Sequence, residues 1–157
     1  KPPRKPLAWL SQTTLSVDDT AEIVNVLSKR YPNISGPKNG DICYATSNRQ
    51  TAVKEIASKV DLMLIVGSEN SSNSKRLVEV AQKAGCKKAF LISDVNFIKW
   101  NEIDLIQNIG LSSGASAPES LIEEIRNRFF DLYEITEIQN SSIQENIFFK
   151  LPKELEK

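Results

Sequence analysis

The feature that most constrains the fold is a run of apolar residues, Leu62–Val66, within a strand predicted at Asp61–Val66, that gives way abruptly to polar residues. After the polar stretch Gly67–Ser74, residues Ser72–Ala84 place apolar side chains at helical spacing, and Lys88–Ile92 is a second apolar run. A short apolar run bounded by turn residues is typical of a strand that is buried on both faces. Two such strands separated by a helix predict a βαβ unit with parallel strands and a right-handed crossover.

The same alternation of strand and helix patterns extends over most of the chain. Further elements are predicted as a strand at Leu7–Leu10, a helix from Ser16 to Arg30, a helix shortly after Cys43, a weaker helix at Phe97–Ile106, a strand at Ile109–Ser112 and a helix at Pro118–Leu132. We therefore predict an α/β fold in which a parallel sheet lies between layers of helices, as an αβα sandwich.

The first and last of the long helices carry the clearest local signals. Ser16 with Asp19, and Ser116 with Glu119, match the capping box that opens many helices. Helical spacing also predicts which apolar side chains of these two helices face inward. The predicted inward residues are Ile23, Val26 and Leu27 in the first helix and Ile122, Ile125, Phe129 and Leu132 in the last.

Polar residues follow the predicted strands at Gly67–Ser74, Ser93–Asp94 and Ser113–Ser116. Because the carboxyl ends of parallel strands meet at one edge of the sheet, these stretches should converge there. Backbone N–H groups at helix N-termini and side-chain hydroxyls and amides attract anions at such an edge. The sequence therefore predicts a small anionic ligand beside the polar residues that surround Cys43.

Composition excludes several classes of function. The 157 residues include 20 basic and 20 acidic side chains, so no net field would recruit nucleic acid or an anionic membrane. No apolar run is long enough to span a bilayer and no signal-peptide pattern opens the chain, so we expect a cytoplasmic protein. With no histidine in the chain, its own residues cannot form a Ser–His pair or a Cys/His zinc site.

The two cysteines have different surroundings. A free cysteine is most often a small buried apolar residue, and this reading suits Cys86 at a helix-to-strand turn. Cys43 instead lies in the polar run Asp41–Gln50, just before a predicted helix, where unpaired N–H groups and the helix dipole favour a thiolate. A thiolate is the ligand that a soft metal or an iron–sulfur cluster requires. We therefore predict a ligand role for Cys43 and a structural role for Cys86.

The run Asn70–Ser74 has two interpretations. Many strand-to-helix junctions carry polar residues that only cap the helix. Here two serines are flanked by two asparagines, which is more than a cap requires, so we favour ligand binding.

Four motifs in order, Gln12–Thr20, Asp41–Gln50, Gly67–Ser74 and Gly114–Pro118, resemble the C-terminal half of the LytB/IspH family, the 4-hydroxy-3-methylbut-2-enyl diphosphate reductases. The resemblance covers the chain from Leu7 and continues through the tail, where it includes Glu145–Phe149 and Leu151–Leu155. It implies three similar α/β domains in a trefoil-like arrangement around a central cluster. Residues 1–40 would end the second domain, residues 41–132 would form the third, and residues 133–157 would be a tail that docks on it through Ile147–Phe149.

The resemblance also implies an activity. The family reductively removes a hydroxyl from 4-hydroxy-3-methylbut-2-enyl diphosphate, giving isopentenyl and dimethylallyl diphosphate, the last step of the non-mevalonate isoprenoid pathway. It uses a [4Fe-4S] cluster with three cysteine ligands and electrons from a ferredoxin- or flavodoxin-type donor. Cys43 matches the third ligand, and the other two, with the family's histidines and its proton-donating glutamate, belong to the N-terminal half. This chain would then be a partial enzyme that is inactive alone.

Individual site residues follow from the resemblance. Ser71, Ser72, Asn73 and Ser116 match positions that contact the diphosphate. Thr13 matches the threonine near the substrate hydroxyl, and Thr46 matches a hydroxyl close to the cluster. Two alternatives stay open: a phosphate-binding α/β module that holds no metal, and a half-protein that must associate with a separate N-terminal chain.

Overall fold

The structure is a computed structural model that describes residues 5–37, 40–140 and 152. Its sheet has three parallel strands, β1 (Leu62–Val66), β2 (Ala89–Ile92) and β3 (Ile109–Ser113), in the order β2-β1-β3. Val66 is paired with Ile92 on one side and Ser113 on the other, so the strands end at the same level. The predicted parallel α/β fold is confirmed.

Helices cover both faces of this sheet. The helices are α1 (Val17–Arg30), α2 (Tyr44–Ala57), α3 (Ser72–Lys83), α4 (Trp100–Ile103) and α5 (Glu119–Leu132), with a 3-10 turn at Val95–Phe97. Of the weak helix predicted at 97–106, only the single turn α4 forms. The other helices lie close to their predicted positions, and α2 begins directly after Cys43.

The core consists of two apolar layers on opposite faces of the sheet. On one face α2 and α3 pack on Met63 and Ile65, and on the other α5 packs on Leu64 and Val66. All five side chains of β1 are buried, as expected for the central strand of a doubly covered sheet. Cys86 is 1% exposed within the first layer, in agreement with its predicted structural role.

The two predicted capping boxes have different outcomes. Ser16 Oγ accepts a hydrogen bond from the Asp19 N–H at 3.2 Å, so α1 begins as predicted. The prediction for Ser116 is wrong, because the residue at the N-cap of α5 is Pro118 and no side chain caps this helix. A residue before proline is driven out of the helical region, so Ala117 cannot be the first helical residue and Ser116 cannot be its cap.

Part of the predicted core is exposed. Ile23 and Val26 of α1 are 61% and 60% exposed, because no described element covers that face of the helix. Leu132, the last residue of α5, is also exposed. The strand predicted at Leu7–Leu10 is reduced to a single parallel bridge between Ala8 and Ser35.

Residues 134–140 continue beyond α5 without regular structure. Arg126 of α5 forms an ion pair with Glu137 at 2.7 Å, and Asn140 Nδ2 donates to Glu55 Oε2 of α2 at 2.8 Å. This part of the tail therefore contacts both helical layers. The docking patch predicted at Ile147–Phe149 lies outside the described residues.

Among the described helices, none is both long and apolar enough to cross a membrane.

Candidate functional site

A cavity of about 540 Å³ opens at the carboxyl edge of the sheet. Its walls come from the loop before α1, the start of α2, the β1–α3 loop and the β3–α5 loop. The lining residues are Thr13, Thr14, Cys43, Thr46, Ser68, Asn70, Ser71, Ser72, Asn73, Ala115 and Ser116. None of these side chains carries a full positive charge, so the cavity presents hydroxyls, amides and one thiol.

The N-terminus of α3 forms one wall. Ser71 is the N-cap and accepts a hydrogen bond from the Ser74 N–H at 3.2 Å. The N–H groups of Ser72 and Asn73, in the first turn, have no partner within a helix, because only later residues reach a carbonyl four positions back. This end of α3 therefore offers free backbone donors beside two hydroxyls, as anion-binding helix ends do.

Asn73 is the most unusual side chain of this wall. It is 7% exposed, and neither Oδ1 nor Nδ2 has a hydrogen-bond partner among the described residues. A buried amide without partners costs roughly 1–3 kcal/mol. Since Asn73 lines the cavity, a ligand that supplies the missing partner would remove this cost.

The β3–α5 loop forms the wall next to α3. The Gly114 N–H donates to Val66 O at 2.9 Å, which continues the β1–β3 pairing up to the cavity. Arg49 of α2 donates from Nε to Ser113 O at 3.1 Å, so the arginine holds this loop against α2. Ser116 follows at the cavity surface.

Cys43 is the N-cap of α2, and its thiol makes no capping hydrogen bond. The side chain is exposed and lines the cavity, whereas Thr46, one turn further along, is 3% exposed. Burial raises the pKa of the Cys86 thiol, which keeps that cysteine protonated and unreactive near neutral pH. Only Cys43 of the two is accessible to a metal.

The loop that carries Thr13 and Thr14 is held to the rest of the site by hydrogen bonds. Thr13 O accepts from the Cys43 N–H at 3.1 Å, and Thr14 Oγ1 lies 2.8 Å from Ser72 Oγ. Gln50, 1% exposed, fixes the chain just after this loop. Its Oε1 accepts from the Val17 N–H and its Nε2 donates to Leu15 O, both at 2.9 Å.

All seven residues predicted for the site line this one cavity. They are Thr13, Cys43, Thr46, Ser71, Ser72, Asn73 and Ser116. The predicted contribution of Ser93–Asp94 is wrong, because Asp94 caps the 3-10 turn through the Asn96 N–H instead. Ser68 lies within the predicted stretch Gly67–Ser74 and also lines the cavity, although it was not named among the individual site residues.

Arg49, Gln50 and Ser74 support the cavity without lining it; they lie within the predicted runs Asp41–Gln50 and Asn70–Ser74, but no supporting role was predicted for them. Their partners are 64, 35 and 3 residues away in the sequence. The two distant contacts can be found only in the folded chain.

Fold and cavity together define a parallel α/β protein with an uncharged polar pocket and an accessible thiol at the carboxyl edge of its sheet. The family model described as LytB protein matches residues 1–130. The chain belongs to this family.

Relatives and solved structures agree with this assignment. The chain is 51% identical over 149 residues to 4-hydroxy-3-methylbut-2-enyl diphosphate reductase 2 of Rhodopseudomonas palustris, covering 95% of this chain and 47% of that protein. A reductase of the same name from Beijerinckia indica is 52% identical over 151 residues, covering 96% and 47%. The solved E-1-hydroxy-2-methyl-but-2-enyl-4-diphosphate reductase of Plasmodium falciparum superposes with a TM-score of 0.86 at 36% identity, covering 96% of this chain and 48% of that one. The chain thus spans about half the length of the relatives it matches.

Proposed function

We propose that this chain is the C-terminal half of a 4-hydroxy-3-methylbut-2-enyl diphosphate reductase and that its cavity binds the diphosphate of the allylic substrate. The observation that carries the proposal is Asn73, a buried amide with no partner among the described residues, on the cavity wall at the N-terminus of α3. The reductases named among the relatives act on a diphosphate, which supplies acceptor oxygens for such an amide.

Ser71, Ser72, Asn73 and Ser116 hold the diphosphate in this proposal. Ser71 to Asn73 approach from the α3 wall and Ser116 from the β3–α5 wall, so the anion lies between them. Neutral donors and a helix N-terminus stabilise negative charge without burying cationic side chains, whose desolvation would be costly. This arrangement suits an anion that must leave again as product.

Thr13 and Thr46 act nearer the reacting end of the substrate. Thr13 O accepts from the Cys43 N–H, so a diphosphate bound at α3 would extend its hydroxyl-bearing end toward Thr13 and Cys43, which line the same cavity. A threonine hydroxyl can donate to the departing oxygen and accept from a proton source, so Thr13 orients the hydroxyl that is lost. Thr46, buried one turn after Cys43, shapes the floor of the cavity.

The residues present fit one ligand of an iron–sulfur cluster. Cys43 is accessible and its thiol is free of capping contacts, so it can bind iron as a thiolate. The described residues contain no group of three or more His, Cys, Asp or Glu side chains that could hold a metal, so the remaining ligands would lie elsewhere in the complete enzyme. When bound, a [4Fe-4S] cluster supplies single electrons and an iron that acts as a Lewis acid.

Three further features belong to the proposal. Residues 1–40 would complete a second domain, residues 41–132 would be the third, and the tail from residue 133 would dock on it. The electrons would come from a ferredoxin- or flavodoxin-type donor, and the enzyme would act in the cytoplasm. The chain would be inactive without the N-terminal half, whether that half is covalently joined or a separate chain.

The test is a chimera in which the N-terminal half of the R. palustris relative is joined to this chain. After anaerobic reconstitution, the chimera should contain iron and sulfide and should reduce 4-hydroxy-3-methylbut-2-enyl diphosphate with a chemical reductant. Cys43→Ser should abolish both the cluster and the activity, because serine cannot supply a thiolate. Cys86→Ser is the matched control and should retain both, at a stability cost of about 1 kcal/mol.

The outcome separates the alternatives. A folded chimera that binds inorganic diphosphate but no iron would favour the phosphate-binding module that holds no metal. A cluster retained in Cys43→Ser would contradict the ligand role of Cys43, whatever the activity.

A further inference from the structure

Ser74 is buried between the ends of two strands and does not line the cavity. It is 1% exposed, in the first turn of α3. Gly67 follows β1 and Gly114 follows β3, and a Cβ atom on either glycine would overlap the Ser74 hydroxyl. The two glycines therefore make the space that this hydroxyl occupies.

The hydroxyl of Ser74 has a specific partner. Ser74 Oγ donates a hydrogen bond to Ser71 Oγ at 3.0 Å, and the Ser74 N–H donates to the same oxygen at 3.2 Å. A serine hydroxyl has one proton to donate and two lone pairs that accept. Both lone pairs of Ser71 are thus occupied by Ser74, and only its proton is free.

We propose that Ser74 is a positioning residue that makes Ser71 an obligatory hydrogen-bond donor to the diphosphate. Ser71 lines the cavity, and its free proton is the one group that its hydroxyl can still offer a ligand. A phosphate oxygen that carries negative charge can accept a hydrogen bond from the Ser71 hydroxyl. A protonated phosphate hydroxyl would need an acceptor, and Ser71 has no lone pair free to accept from it. The inference rests on the proposed function and specifies which ionic form of the diphosphate this wall selects.

Ser74→Ala removes one oxygen and leaves the backbone N–H that the Ser71 cap uses. One lone pair of Ser71 then becomes free, so its hydroxyl can turn away from the ligand or accept from it. Losing one neutral hydrogen bond of this kind should weaken diphosphate binding roughly 2- to 10-fold. Ser71→Ala, which removes the donor to a charged group, should weaken binding about 10- to 150-fold.

The experiment titrates the full 157-residue chain with inorganic diphosphate and follows the backbone amides of α3 by NMR. Four proteins are compared: the unsubstituted chain, Ser74→Ala, Ser71→Ala and the double variant. If Ser74 acts through Ser71, then Ser74→Ala should weaken binding on its own but should change it less than 2-fold when Ser71 is already alanine. The difference in diphosphate affinity between the unsubstituted chain and Ser74→Ala should also become smaller at a pH low enough to protonate the diphosphate.

The matched control is Val80→Ala, a buried site further along α3 that does not touch the cavity. It should lower the unfolding midpoint without changing diphosphate affinity. Equal weakening by Ser74→Ala in both backgrounds would show a general packing effect and overturn the inference. Unchanged diphosphate affinity in Ser74→Ala, together with weaker binding in Ser71→Ala, would overturn the inference about Ser74 but not the proposed function. An unsubstituted chain that does not bind diphosphate, or a Ser71→Ala variant that binds equally well, would overturn the proposed function instead.

Discussion

The N-terminal segment, residues 5–37, and the sheet unit, residues 41–132, are held in place by different forces. Every buried apolar side chain among the described residues belongs to the sheet unit, between Val53 and Phe129. In the N-terminal segment the one buried side chain is Ser16, and α1 buries no apolar residue at all. The sheet unit is therefore stabilised by its own core, whereas the segment depends on its contacts with the unit.

Those contacts are mainly polar. Gln50 binds the backbone on both sides of Ser16, Lys54 pairs with Asp18 at 2.6 Å, and Lys83 pairs with Asp19 at 2.7 Å. The cavity lies across this junction, with Thr13 and Thr14 on one side and the other lining residues on the other. The geometry of the cavity therefore depends on these polar contacts, which are weaker than the apolar core of the sheet unit. Substitutions in each region can measure the two contributions separately.

The largest difference in stability between the two regions should come from replacing a large apolar side chain with alanine. Ile65→Ala in β1 should lower the free energy of unfolding by about 2–5 kcal/mol, because Ile65 is 0% exposed and its removal leaves a cavity. Ile23→Ala in α1 should change it by less than about 0.5 kcal/mol, since Ile23 is 61% exposed. Urea unfolding of the two variants measures both values. Similar losses would show that α1 is packed against something that the described residues do not include.

The next effect should come from the polar junction. Gln50→Ala leaves the Val17 N–H and Leu15 O without their partner and should weaken attachment of the N-terminal segment by roughly 1–2 kcal/mol. Hydrogen exchange in α1 should then accelerate about 5- to 30-fold, while exchange in β1 stays unchanged.

Gln82→Ala is the control for this variant, because Gln82 is an exposed glutamine with one long contact, 3.5 Å to Ala89 O. It should leave exchange in α1 unchanged. Faster exchange in both α1 and β1 of Gln50→Ala would mean that the two regions unfold together. The N-terminal segment would then not be held separately from the sheet unit.

The sheet unit was the more predictable region from sequence. Apolar runs such as Leu62–Val66 identify buried strands because the partners that cover them lie within the same unit. The periodicity of α1 is just as regular, yet Ile23 and Val26 are exposed, since a pattern of apolar residues shows a face and not what covers it. Local sequence therefore predicts the elements, and tertiary context decides their burial.

The cavity was predictable to the same degree. Parallel strands that end together indicated the stretches Gly67–Ser74 and Ser113–Ser116, and the polar surroundings of Cys43 indicated that thiol, whereas Thr13 and Thr46 followed only from the family resemblance. The support by Gln50 was not predictable, because a buried glutamine that binds backbone 33 and 35 residues away has no local signature. The Ser116 cap failed for a local reason, the proline two residues later, which the sequence did contain.

The smallest effect should come from the ion pair between the two regions. Lys83 Nζ hydrogen-bonds both carboxylate oxygens of Asp19, at 2.7 and 2.9 Å, and this contact holds the pKa of Asp19 below its ordinary value of 3.8. Since the side chains of Lys83 and Asp19 are 63% and 38% exposed, solvent screens the pair, and its contribution should stay below about 1 kcal/mol.

The sign of the pH dependence follows from the direction of this shift. A carboxyl whose pKa is lower in the folded state stabilises the fold above its unfolded pKa, and the contribution is lost as pH falls through the folded value. Lys83→Met should therefore speed exchange in α1 slightly at pH 7, and the effect should shrink at an acidic pH well below 3.8, where Asp19 becomes protonated. Lys99→Met, which removes a pair with Glu102 within the sheet unit, is the control and should leave α1 unchanged at both pH values. If Lys83→Met gave an equal loss at both pH values, the lysine would act through packing of its aliphatic stem, and the junction would be less polar than its contacts indicate.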